Sequence, residues 1–268
     1  MAAGRCFLLL AQLACLLLAT SSHAETATLL GKVAICEDGS EWPPYTYFER
    51  RDGKKTERII GFAVDVIQDI FSRNGLLYSL ELIPWARCQA EVKLGKNYQM
   101  ALNLSYSEER NRNYLLTRPY YQTTNYYFYS RRQYPNGLAI HSVADLKSYA
   151  VCGLLGYNYT GYGLKAGEVD QQARDFPAVI AKLHNRRCDL FVEKLEIMTG
   201  FLAIGEPFLQ DKDLGRAAIP GMEHAPFHMA ISPAMPQAMA LRKLLDEELL
   251  KMESSGKLKA LWQKYASE

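Results

Sequence analysis

Short β-rich runs alternate with segments of helical periodicity along most of this chain, and that order admits few folds. Residues 33–35 open a β-rich run, Pro43-Pro44 breaks it, and residues 45–48 resume in extended form. From Phe62 onward, Val64, Ile67, Ile70 and Phe71 recur at helical spacing, and Gly75 stands where a helix would end. Residues 78–83 predict the next strand, and residues 88–94 a short helix stopped by Gly95. After a strand at 100–104, Ser107-Glu108-Glu109-Arg110 has the form of a capped helix start. Strand and helix in this alternation imply a mostly parallel sheet flanked by helices.

The pattern then changes. Residues 119–134 hold seven aromatic side chains among sixteen, which suits extended chain better than helix. A second α/β run follows, with a strand at 149–152, a glycine-rich turn, a helix, and a strand at 189–192. Residues 227–231 read as one more strand. Leu241, Leu245, Leu249 and Met252 mark one face of a long helix, and Leu258, Leu261 and Trp262 mark another after Gly256. Two α/β units joined by extended chain, without a flexible spacer, predict two lobes packed around a cleft.

The amino terminus reads as a targeting segment. Arg5 precedes apolar residues 7–19, broken only by Gln12, and Ser22-His23-Ala24 offers small residues at the two positions a signal peptidase reads. The run is short for a transmembrane helix. Residues 1–24 are therefore expected to be removed on export, leaving a soluble chain that starts near Glu25. The 31 Lys and Arg residues nearly balance 29 Asp and Glu, for a net charge of +2. No basic cluster stands out, so nucleic acid is not an expected partner.

Four cysteines remain beyond the targeting segment: Cys36, Cys88, Cys152 and Cys188. An even number in an exported chain suggests disulfides, although four cysteines allow three pairings and buried free thiols are an alternative. No C-x-x-C and no paired Cys/His spacing is present, so neither a zinc site nor a cofactor is expected. His141, His184, His224 and His228 fall in separate segments without a G-x-S-x-G elbow, and no catalytic residue is expected.

Several short motifs occur in a telling order. They are Trp42-Pro43-Pro44-Tyr45-Thr46-Tyr47, Gly61-Phe62-Ala63-Val64-Asp65, the Gly95-Lys96 end of a helix, and Ser105-Tyr106-Ser107-Glu108-Glu109-Arg110. Pro119-Tyr120-Tyr121, the turn at 153–159 and the strand at 227–232 follow. Together they resemble family 3 of the periplasmic solute-binding proteins, the polar amino acid receptors of ABC importers. The resemblance implies a type II, two-lobed α/β periplasmic binding protein fold, each lobe a mostly parallel sheet flanked by helices, joined by two crossover strands. Lobe I would comprise residues 25–118 and 227–268, and lobe II residues 119–226 with the hinge crossings. On that division, pairing Cys36 with Cys88 and Cys152 with Cys188 puts one bridge in each lobe. Crossed pairing would tie the lobes together and oppose hinge motion.

The resemblance also points to a ligand site. Arg110 occupies the position of the family's arginine that clamps a ligand's α-carboxylate, a task suited to the rigid guanidinium fork. Without the ordered motifs, the sequence would favour an exposed helical arginine paired with Glu109 or with solvent. Ser105 would add a hydroxyl donor, and Ser107 a helix cap. Trp42, Trp85 and Tyr47 would cover the ligand with aromatic rings, the alternative for each being core packing. The second lobe would contribute Gly156, Tyr157, Asn158 and Tyr159, through backbone and side chains at a tight turn. Family members place an ammonium-binding aspartate five residues beyond the position of Asp189, where this chain has Lys194, with Glu193 beside it. Glu193 could bind the ammonium, the ligand could lack an α-amino group, or the two charges could form a surface pair.

These features lead to a monomeric periplasmic protein that captures a small carboxylate-bearing ligand, an amino acid, for an ABC permease at the inner membrane. An enzyme on the same scaffold, resembling the cyclohexadienyl dehydratases with Glu193 as general acid, is the main competing expectation. A ligand-sensing subunit of a membrane receptor is another.

Overall fold

The computed structural model describes residues 31–222 and 224–265. The expected targeting segment at 1–24 lies outside the described residues. Along the chain come β1 (Lys32–Asp38), β2 (Tyr47–Arg51), β3 (Lys54–Ile60), helix α1 (Phe62–Arg73), β4 (Leu77–Ile83), α2 (Trp85–Leu94) and β5 (Met100–Ser105). Then follow α3 (Glu108–Asn113), β6 (Leu115–Leu116), the long β7 (Tyr121–Ser130), β8 (Val151–Leu154), β9 (Val169–Ala173) and α4 (Phe176–His184). The chain closes with β10 (Leu190–Lys194), α5 (Leu195–Gly200), β11 (Leu214–Ala218), β12 (His224–Ile231), α6 (Ala238–Ser254) and α7 (Lys257–Trp262).

The main sheet runs β4-β1-β5-β12-β7-β10-β8-β9, with β11 added to β7 and β6 to β12. At one end β1 pairs in parallel with β4 and β5, and at the other β8 pairs in parallel with β9 and β10. Between these parallel regions lie β7 and β12, antiparallel to one another through Thr124–His224, Thr123–Ala225, Gln122–Pro226 and Tyr121–Phe227. The aromatic stretch is thus a crossing strand. It links two lobes side by side with the returning chain. Its rings pack in layers: Tyr121 stacks on Tyr45 at 4.0 Å and on Phe227 at 4.9 Å, and Phe128 stacks on Phe191 at 4.9 Å.

Helix α1 buries Phe62, Ala63, Val66, Ile67, Ile70 and Phe71 against the first lobe's sheet, which explains its periodic apolar face. A Cβ at Gly61 would sit 2.2 Å from the Tyr45 carbonyl oxygen, so the turn into α1 admits only glycine. Helix α2 ends at Gly95 in the left-handed conformation, φ 68°, as its position suggested. Helix α6 buries Leu241, Leu245, Leu249 and Met252, again the expected stripe.

Four strands, β3, β6, β9 and β11, are absent from the sequence reading. β2 and β3 form a separate hairpin in which β3, KKTERII, is largely exposed and carries no apolar alternation to reveal it. β9, VDQQA, is an edge strand of similar polarity. The cysteines are bridged as Cys36–Cys88 and Cys152–Cys188, each with Cα atoms 5.7 Å apart. The first ties the end of β1 to α2, and the second ties β8 to the residue two before β10. Among the described residues, no helix is long and apolar enough to cross a membrane.

Candidate functional site

The carboxyl ends of the parallel strands in both lobes converge on one cavity, the usual place for a ligand in α/β sheets. β1 ends in Glu37-Asp38, β5 in Asn103 through Ser105, β10 in Glu193-Lys194, and the turn after β8 supplies Tyr157, Asn158 and Tyr159. The cavity measures about 50 Å³, with Trp42, Trp85, Tyr162 and Phe227 also on its walls.

Arg110 is placed by the short helix α3. The Ser107 hydroxyl caps that helix, accepting from the Arg110 backbone N–H at 3.1 Å. The side chain then folds back onto the end of β5. Nη1 donates to the Ser105 carbonyl at 3.1 Å and to Ser105 Oγ at 2.9 Å, and Nη2 donates to Gln89 Oε1 at 3.1 Å. Arg110 is 8% exposed, so the surface ion pair with Glu109 is not what forms. Burial pushes its guanidinium down to about 10, which leaves it charged at neutral pH. Among the described residues no acceptor takes Nε or the second proton of Nη2, which together form a side-on pair that matches a carboxylate.

The carboxyl groups have different tasks. Glu37 accepts from the backbone N–H of Leu102, from that of Asn103 at 3.0 Å and from Asn103 Nδ2 at 2.8 Å, so its oxygens hold β5 in place. Burial outweighs these bonds and raises its carboxyl to about 7. Asp38 accepts from the Ser40 N–H at 2.9 Å and, across the cleft, from the Tyr157 hydroxyl at 2.8 Å; burial raises it too. Glu193 is 3% exposed, with Oε1 accepting from the Lys194 N–H at 2.8 Å. Burial raises Glu193 and lowers Lys194, each partly offset by the other's charge.

Lys194 corrects the surface-pair reading. Its ammonium is buried in the wall, donating to Asn125 Oδ1 at 2.5 Å and to the Tyr162 hydroxyl, and lies 4.6 Å from the Tyr162 ring centroid. The aromatic expectations divide. Trp42 and Trp85 line the cavity, Trp42 meeting Tyr157 edge-on at 5.5 Å. Tyr47 does not line it. It pairs with Ile60 in the hairpin and is buried near Asp65 and Tyr265. Thr46, the residue before it, points the other way and lies behind the wall, accepting from Asn103 Nδ2 at 3.1 Å, as successive residues of extended chain face opposite ways.

Asn158 reaches the first lobe, donating to the Tyr106 carbonyl at 3.0 Å, while Tyr159 accepts from the Leu154 N–H at 2.7 Å. Gly156 is not on the cavity wall but borders an adjoining groove of about 390 Å³ that shares Arg110, Tyr157, Asn158 and Tyr159. Sequence reasoning missed Glu37, Asp38, Asn103, Gln89 and Tyr162. Adjacent acidic residues at the end of an apolar strand were the available sign for the first two. Among the described residues, no group of three His, Cys, Asp or Glu side chains is arranged to hold a metal ion.

The sequence model of the bacterial extracellular solute-binding proteins, family 3, matches residues 33–268. The chain belongs to that family. Among its relatives, a probable histidine-binding protein of Campylobacter jejuni subsp. jejuni serotype O:2 is 26% identical over 190 residues, covering 68% of this chain and 67% of the relative. The fold is shared with the substrate-binding protein AbpA of an amino acid ABC transporter from Streptococcus pneumoniae, solved with L-arginine bound. That likeness has a TM-score of 0.69 at 20% identity and covers 90% of this chain and 97% of the other. It is also shared with an ancestral amino acid-binding protein described as a precursor of cyclohexadienyl dehydratase, with a TM-score of 0.64 at 15% identity, covering 88% and 96%.

Proposed function

We propose that this solute-binding protein captures an L-amino acid between its lobes and hands it, unchanged, to an ABC permease at the inner membrane. The observation that carries the reading is Arg110: a buried guanidinium whose Nη1 and one Nη2 proton are held by the protein, with a side-on donor pair left for a carboxylate. Carboxyl groups of Asp38 and Glu193 on the same walls would take an ammonium or a cationic side chain, and the rings of Trp42 and Trp85 would cover the stem. The histidine and arginine named for its relatives agree in class with those acidic and aromatic walls.

In this reading lobe I spans residues 25–118 and 227–268, lobe II spans 119–226, and residues 1–24 direct export to the periplasm. The site works as a monomer, since both lobes belong to one chain. A thermal-shift screen of the twenty standard L-amino acids, small carboxylates and polyamines tests it. One chemical class should raise the melting temperature by mass action, and Arg110→Ala should abolish the shift while leaving the unliganded midpoint nearly unchanged. Retention of the shift in Arg110→Ala overturns the assignment.

A buried, raised Glu193 on the cavity wall supports a second reading, a dehydratase using that carboxyl as general acid. Incubation with cyclohexadienyl acids separates the two: the binding reading expects no aromatic product.

A further inference from the structure

Gln89 makes two hydrogen bonds whose partners leave its amide no choice of orientation. Its Oε1 accepts from Arg110 Nη2 at 3.1 Å, and its Nε2 donates to the Gly156 carbonyl at 2.9 Å. A guanidinium only donates and a carbonyl only accepts, so the oxygen must face Arg110 and the nitrogen must face Gly156. Gln89 stands on α2 and Arg110 on α3, both in the first lobe, whereas Gly156 belongs to the turn after β8 in the second. The amide therefore spans the cleft.

We propose that Gln89 is a positioning residue that couples closure of the lobes to the orientation of the Arg110 fork. The inference rests on the reading of Arg110 as the carboxylate clamp. Ser105 holds Nη1 at its carbonyl and its Oγ, which anchors one end of the guanidinium and leaves the other end to be supported. Gln89 holds Nη2 and so braces that far end of the fork. Its own amide is held by a carbonyl that arrives only with the second lobe. The approach is close: a Cβ at Gly156, where φ is +80°, would lie 3.2 Å from both the Ala86 Cβ and Gln89 Nε2. Glycine at 156 thus lets the turn's backbone reach α2, which accounts for its place beside the cavity instead of on its wall. With the lobes apart, the amide loses its second partner and the fork loses half its support. Closure orients the donor pair.

Stopped-flow fluorescence on the full chain, reporting from Trp42 and Trp85, tests this with each of the twenty standard L-amino acids as the probe. Gln89→Leu removes both bonds. Gln89→Glu keeps an acceptor toward Arg110 and replaces the donor facing Gly156 with an oxygen. Both substitutions should raise the dissociation rate about tenfold or more, because the lost bonds act in the closed state. Association should change by less than about threefold, and the unliganded melting point should hold, since the side chain lies at the cleft. If Gln89→Leu lowers that melting point, Gln89→Glu decides. Unchanged dissociation in the Gln89 variants, with Arg110→Ala abolishing binding, overturns the coupling and leaves the clamp intact. A slower association with unchanged dissociation overturns it as well. Full binding in Arg110→Ala, or no binding of any probe to the unaltered chain, overturns both.

Discussion

The Tyr157 hydroxyl donates to Asp38 Oδ2 at 2.8 Å, joining the turn after β8 in one lobe to the end of β1 in the other. Ser40 Oγ to the Arg174 carbonyl at 2.8 Å and Asn158 Nδ2 to the Tyr106 carbonyl at 3.0 Å add two more bonds across the cleft. These contacts exist only when the lobes meet, so their loss should appear in ligand affinity more than in the stability of either lobe. Tyr157→Phe keeps the ring against Trp42 and deletes one donor to a buried carboxylate, a bond worth about 1.5–3 kcal/mol. Titration calorimetry should show affinity for the bound amino acid falling by about tenfold or more.

Glu37 gives the fold a pH dependence with a definite sign. Burial raises its carboxyl from 4.5 to about 7, so between those values the folded chain holds a proton that the unfolded chain has released. Its contribution is fully present below about pH 4.5 and lost as pH rises through about 7, on the order of 3 kcal/mol across the window. His228, lowered by burial, works in the opposite sense near its ordinary value of 6.5. The comparison is therefore between variants: Glu37→Gln should flatten the decline of melting temperature between pH 4.5 and 7 relative to the unaltered chain.

The two bridges close loops of similar length, with sequence separations of 52 and 36, and chain entropy assigns each about 4 kcal/mol. Serine pairs replacing either bridge should lower stability by comparable amounts in denaturant titrations. Their effects on affinity should differ. Cys36 precedes Glu37-Asp38 and Cys88 precedes Gln89, so removal of that bridge should weaken binding, while removal of Cys152–Cys188 should leave affinity less affected.

Glu193 supplies a test of the ligand's ammonium. Glu193→Gln removes a buried carboxylate beside Lys194 while keeping its size, and should weaken amino acid binding by about 2 kcal/mol. The corresponding 2-hydroxy acid, which offers no ammonium, should bind both proteins with affinities within about threefold. Equal losses for both ligands would place the ammonium elsewhere.

The alternation of strands and helices was legible, as were the Ser107 cap, the buried stripes of α1 and α6, and the crossing strand, because each depends on local periodicity or composition. The hairpin was missed although Asp52-Gly53, with φ of 50° and 73°, carries its turn signal, since the charged run after it resembles solvated loop. Lys194 could not be read correctly from its neighbours in sequence. Its burial depends on Asn125 and Tyr162, brought to it by strand pairing and a turn far along the chain. Tyr47 illustrates the opposite limit: the residue type suggested a ring over the ligand, but the alternation of extended chain places that ring in the hairpin and points Thr46 toward Asn103.

A crystal structure of the chain with the amino acid selected by the thermal screen decides whether Arg110 is the carboxylate clamp. The ligand's carboxylate should lie within about 3 Å of Nε and Nη2 of Arg110, inside the cavity bounded by Trp42, Trp85 and Tyr157. A bound amino acid whose carboxylate lies against other donors, with Arg110 paired only to Ser105 and Gln89, would contradict it.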